Sequence, residues 1–147
     1  MLAVLPPTEV VTSPLRRCRE TAVPLCSAWG THARVVDAVA EIPSPEGVAM
    51  SDRVAWLREV MVGEWSALGP RYTAYRDAVV AAVRAMQVDT VVFSHFIAIN
   101  AVIGAATGDD RMVIRSLDNC SVTVIEVAPD GALRLVEGGH EADTLIR

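Results

Sequence analysis

Apolar runs and chain-breaking residues alternate along this sequence in a strand-then-helix rhythm. Residues 9–13, Glu9-Val10-Val11-Thr12-Ser13, form a short apolar run between Pro6-Pro7 and Pro14, the pattern of a buried strand. Ser13 is placed to cap a helix, and Pro14 suits a first turn, where a missing N–H costs nothing. Leu15, Cys18, Ala22, Leu25 and Cys26 then recur at helical spacing, which predicts a helix as far as Trp29, kinked or split at Pro24. Residues 33–37 read as a second strand, and 41–50 as a loop broken by two prolines and a glycine. Helices are predicted over 51–68 and 71–86, separated by Gly69-Pro70, with Trp56, Val60, Val79, Val80 and Val83 facing the core. Residues 90–94 (TVVFS) are the clearest strand, and they run directly into a helix from Phe96 that Gly108 closes. Residues 121–127 alternate as a strand does and pair through Pro129-Asp130-Gly131 with 133–137 in a hairpin. The last ten residues read as a polar tail over the surface. One α/β domain over 1–147 is predicted, a mainly parallel sheet flanked by helices with an antiparallel hairpin edge.

Composition narrows the function classes. The 147 residues are 52% hydrophobic and 21% charged with a net charge of −5, which fits a folded core and excludes a disordered chain. All 13 basic residues are arginine and none clusters into a block, so no nucleic-acid partner is expected; arginine suits planar recognition of anions. No apolar run reaches the length of a membrane span, and the start lacks a basic leader segment, so a cytoplasmic chain is expected. Three cysteines, Cys18, Cys26 and Cys120, have no metal-type spacing and read as reduced core residues. His32 and His140 fall in polar loops and read as solvated.

Two strand-to-helix junctions carry polar chemistry where open α/β sheets bind ligands. The first is Thr12-Ser13-Pro14-Leu15-Arg16-Arg17. Arginines in a first helical turn oppose the positive end of the helix unless an anion is shared with it, so this is a candidate anion site. Two solvated surface arginines are the plainer reading. The second junction is Phe93-Ser94-His95-Phe96, with a histidine at the functional edge of the sheet or, equally, a histidine bonded to a carbonyl. A serine-hydrolase elbow fails because Val92 and Phe96 stand at its glycine positions. A lysine-containing phosphate loop is absent because there is no lysine, and G-x-G-x-x-G is absent too. A cysteine-phosphatase loop fails at all three cysteines, since Pro24, His32 and Glu126 stand where its arginine would be.

Residues 13–22, SPLRRCRETA, resemble the S-P-L-x-R-x-x-x-T-A segment of the histidine phosphatase superfamily, the phosphoglycerate mutase-like proteins. Glu41 before a Pro/Gly loop, and Ser94-His95 after an apolar strand, resemble two further segments of that family. Residues 119–123 resemble its strand after the next helix. The resemblance implies Arg17 and the backbone at Phe96 as phosphate-binding groups, Glu41 as proton donor, and His95 as the second catalytic histidine. It implies a small phosphorylated substrate or inorganic phosphate as partner, with no metal or organic cofactor. It further implies phosphomonoester hydrolysis through a phosphohistidine, and the short stretch from Glu41 to Arg71 favours a phosphatase over a mutase.

The family's nucleophile belongs to an Arg-His-Gly motif at the end of its first strand. No Arg-His pair occurs in this sequence, and the chain starts about where the family's first helix ends. Phe96 replaces a usual glycine, and Asn100 stands where an arginine is common. The expectation is therefore a phosphoglycerate mutase-like domain without its first strand and helix, inactive as it stands; the alternative is a catalytically dead phosphoester-binding or protein-interaction domain. An open edge on strand 90–94 is expected in turn, covered by rearrangement, by a borrowed strand or in a homodimer. An unrelated α/β domain would instead hold Arg17 and His95 far apart.

Overall fold

The computed structural model describes residues 2–141. Strand β1 (Glu9–Thr12) is central, with β2 (Arg34–Val35) and β3 (Thr90–Phe93) parallel to it on either side, in the order β2-β1-β3. Val10 and Val11 fill the middle of the core, and Thr12 and Ser13 are buried with them at the carboxyl end of β1. Helix α1 (Arg16–Trp29) buries Cys18, Ala22, Leu25 and Cys26, the stripe its spacing predicts, against Val10, Val91 and Phe93. It stays one helix through Pro24. Its N-cap is Leu15 with no side-chain cap, so Ser13 does not cap it in the manner expected. The Ser13 hydroxyl accepts the Leu15 N–H at 3.2 Å and is otherwise engaged across the sheet.

Helix α2 (Met50–Met61) ends earlier than its apolar pattern suggests. A turn at Gly63 breaks it from a short 3-10 turn at Trp65–Ala67, because the Gly63 carbonyl and the Trp65 N–H are taken by Met112 and Asp110. Helix α3 (Pro70–Arg84) starts with its proline in the first turn and packs on α4 (Phe96–Thr107). Trp65, Tyr72, Ile97, Ala101 and Met112 form the core between them. Gly108 closes α4 with a φ of 68°, as its position predicts.

The hairpin of β4 (Val124–Val127) and β5 (Leu133–Glu137) is antiparallel as expected, but it forms a separate sheet instead of an edge of the parallel one. Residues 119–123 are not a strand; they form a turn and an irregular segment in which Cys120 has a φ of 58°. Cys18 and Cys26 are buried, whereas Cys120 is exposed, which corrects its assignment to the core. Of the tail, residues 138–141 lie over the 115–123 segment: Asp118 N–H bonds the His140 carbonyl, and Gly139 is in close contact with Leu117, Ser121 and Thr123. Residues 142–147 lie outside the described residues. No helix among those described is long and apolar enough to cross a membrane.

Candidate active site

The carboxyl ends of β1 and β3 lie side by side because the two strands are parallel and in register from Glu9↔Thr90 to Thr12↔Phe93. That register places Ser13, which follows β1, opposite Ser94-His95, which follow β3. Helix α1 then leaves β1 with Arg17 in its first turn, and α4 leaves β3 with His95 as N-cap. The two stretches are far apart in sequence, and the parallel register brings them together.

His95 is buried and wedged among polar neighbours. Arg17 Nη2 lies 2.9 Å from His95 Nδ1, and Ser13 Oγ lies 2.7 Å from Nε2. A guanidinium only donates, so Nδ1 must be the acceptor. The ring then carries its proton on Nε2 and donates it to Ser13 Oγ, which fixes the neutral tautomer. Burial, and then the Arg17 charge, push the imidazole pKa down to about 4, in agreement with that tautomer. The Cys18 thiol sits 3.5 Å from Nε2 and donates to the Ser94 carbonyl at 3.2 Å. Burial holds its pKa up, so it remains a thiol.

Glu41 reaches the same place from the loop after β2. The chain on both sides of it is pinned: Ser94 Oγ donates to the Val39 carbonyl at 2.7 Å, and Tyr75 Oη donates to the Ala40 carbonyl at 2.7 Å. Arg53 donates to the Ile42 carbonyl at 3.0 Å and to Ser44 Oγ, while Arg71 donates to the Ser44 carbonyl. The Glu41 carboxylate accepts the Ile42 N–H at 3.0 Å. Burial raises its pKa above the usual range, opposed by that hydrogen bond and by the charges of Arg17 and Arg53. A carboxyl whose pKa burial raises gives a proton to a leaving oxygen more readily than a solvated one.

Arg17, Glu41, His95 and Phe96 all line one groove of about 750 Å³, so the four residues singled out from the sequence share one site. His32 and His140 are exposed in loops and do not line it. Arg16 differs from its neighbour: it is exposed and paired with Glu20 one turn on. Sequence reasoning missed the supporting roles of Ser13, Cys18, Tyr75 and Arg53. Ser13 and Cys18 lay inside the recognised segment and read locally as a cap and a core residue; Arg53 and Tyr75 carry no local signal, since each acts on a loop distant in sequence. Among the described residues, no group of three or more His, Cys, Asp or Glu side chains is placed to hold a metal.

Comparison with known proteins bears on the fold and the family. No curated protein matches the chain. Among solved structures it is similar to TTHB049 from Thermus thermophilus, with a TM-score of 0.57 and 23% identity over 92% of this chain and 74% of that one. It is also similar to Bacillus stearothermophilus YhfR, with a TM-score of 0.71 and 19% identity over 92% of this chain and 75% of that one. A phosphoglycerate mutase from Thermus thermophilus matches at a TM-score of 0.50 and 21% identity, over 91% and 76% of the two chains. At these identities the likeness concerns the fold. The model of the histidine phosphatase superfamily (branch 1) matches residues 1–137, nearly the whole chain, and the protein belongs to that family.

Proposed function

We propose that the groove binds the phosphoryl group of a small phosphomonoester, and that this chain alone does not turn that ester over. The observation that carries the reading is the direct contact of Arg17 with His95 at 2.9 Å in a groove that also holds Glu41. A tetrahedral dianion entering there would take the Arg17 guanidinium by paired N–H donors. The imidazole it displaces from Arg17 would gain a proton and hold a second oxygen. Phe96 stands at the start of α4, where its own backbone N–H would meet a third.

Hydrolysis by this family's chemistry needs a histidine that attacks phosphorus in line and carries the phosphoryl group until water removes it. In the unliganded groove His95 gives its N–H to Ser13 and its one lone pair, on Nδ1, to Arg17, and once an anion takes Arg17 the ring is protonated and has no lone pair to attack with. The remaining histidines lie outside the groove. With a nucleophile supplied, Glu41 would protonate the leaving oxygen and then activate water against the phosphohistidine. Without one, binding persists and the rate falls by several orders of magnitude.

Two measurements test this. Orthovanadate or phosphate should bind with a 1:1 stoichiometry that Arg17→Met abolishes, read by calorimetry. p-Nitrophenyl phosphate should give no burst of product; a burst that disappears in His95→Ala would overturn the assignment of the chain as inactive.

A further inference from the structure

Glu41 hangs between two buried anchors. Val39 and Ile42 are both 1% exposed, so their side chains fix the ends of a short span whose middle the core does not hold. Peptide units are rigid planes, so the direction of the Glu41 side chain is set by how the planes on either side of it are turned. The plane of residues 39–40 is tied at both ends: Ser94 Oγ donates to its carbonyl at 2.7 Å, and its N–H donates to the Asp37 carbonyl at 3.1 Å. The plane of 41–42 is tied to Glu41 itself, through the Ile42 N–H at 3.0 Å. The plane of 40–41 lies between these two and immediately precedes the Glu41 side chain. Among the described residues its one hydrogen-bonding partner is Tyr75, whose Oη donates to the Ala40 carbonyl at 2.7 Å.

Tyr75 is suited to hold that bond. It stands on α3 with its ring against Trp65, 6.0 Å between centroids, so the hydroxyl is carried on a stiff aromatic stalk. Burial, and then the charge of Glu41, raise the phenol pKa, so the group stays a donor. Arg53 and Arg71 act further along, on Ile42 and Ser44, beyond the carboxyl. We propose that Tyr75 is the positioning residue for Glu41: its hydroxyl fixes the 40–41 peptide plane and thereby turns the carboxyl into the groove. The role rests on the reading of Glu41 as the proton donor, whereas the bond itself is measured with no ester bound.

Two roles for the hydroxyl predict opposite signs. As a mere neighbour of Glu41, its removal leaves more apolar surroundings, and the carboxyl holds its proton as tightly or more tightly. As the holder of the plane, its removal lets the half-buried Ala40 carbonyl turn to water for a donor; Glu41 turns with it, and its pKa falls toward the ordinary 4.5. The ionisable groups that face Glu41 are Arg17 and Cys18 from α1, Arg53 from α2 and Tyr75 from α3, with neutral His95 lining the same groove. Of these only the two arginines are charged at neutral pH, and Tyr75→Phe leaves both in place.

Carbon NMR of the Glu41 carboxyl through a pH titration in phosphate-free buffer reads the sign, with Glu41→Gln identifying the resonance. In Tyr75→Phe, which keeps the ring on Trp65, Glu41 is expected to bind its proton about tenfold more weakly than in the wild type. Arg71→Met frees the same loop at Ser44, past the carboxyl, and should not weaken it. The proposal is overturned if Tyr75→Phe leaves the midpoint in place or raises it, or if Arg71→Met lowers it as far, which would make the hydroxyl a general prop of the loop. Should Tyr75→Phe not fold, the wild type decides: the Tyr75 ring carbon that bears the hydroxyl must shift at the Glu41 midpoint, and a Tyr75 blind to that titration overturns the proposal. Calorimetry with phosphate is a separate reading, since a wild type that binds none defeats the phosphoryl site and leaves the Glu41 titration to be judged by itself.

Discussion

Removing the Arg17 guanidinium should raise the pKa of His95, and the size of the change is set by the geometry. The imidazole stands at about 4 against an ordinary 6.5, with burial the larger cause and Arg17 the second. A depression of that size corresponds to about 3 kcal/mol at 1.36 kcal/mol per unit, spread over both causes. Because the folded-state pKa is depressed, the unfolded chain binds the extra proton. Stability contributed by neutral His95 is therefore complete above pH 6.5, falls as pH drops from 6.5 to about 4, and is constant below that. In Arg17→Met the repulsion is gone and burial remains, so the pKa should rise but stay below the ordinary value. Carbon–nitrogen NMR of the imidazole ring measures this directly. A dianion bound beside the ring should move the wild-type pKa upward too, since it favours the imidazolium; by reciprocity, phosphate then binds the protonated form more tightly by the same factor. A wild-type His95 that titrates at the ordinary 6.5, or one whose titration ignores both Arg17→Met and phosphate, would refute the tautomer and the anion site together.

Other substitutions test the scaffold around the site. Asn100 is fully buried and spends its side chain on Phe96 and Arg115 carbonyls and on the N–H groups of Ile114 and Arg115, so Asn100→Leu should cost about 3 kcal/mol in urea unfolding by leaving those groups unpaired. In Gly104→Ala the new methyl would lie 2.6 Å from the Asp109 carbonyl, which is backbone and cannot swing aside; a loss of about 2 kcal/mol and a lowered Tm are expected. Pro24 interrupts the hydrogen bonding of α1 on an exposed face, so Pro24→Ala should raise Tm, with a net gain of about 2 kcal/mol after the looser unfolded chain is counted. An unchanged Tm there would mean that α1 already accommodates the missing bond.

What could be read from the sequence divides along physical lines. Features that depend on a residue and its near neighbours were legible: the apolar stripe of α1, the glycine stop of α4, the hairpin, and the polar ends of β1 and β3. The convergence of Arg17, Glu41, His95 and Phe96 was legible only through the family segment, because no spacing reveals that two strands will lie parallel and in register. What escaped depends on long-range competition for polar groups. The α2 pattern continues beyond Met61, but the backbone at Gly63 and Trp65 is claimed by residues near 110, and the helix stops. Residues 121–123 alternate like the strand that follows them. Yet a strand needs a partner along its edge, and the strip beside 117–122 is a groove lined by β3 residues. Residues 121–123 instead run unpaired beside Gly139, after a turn in which Cys120 has a φ of 58°.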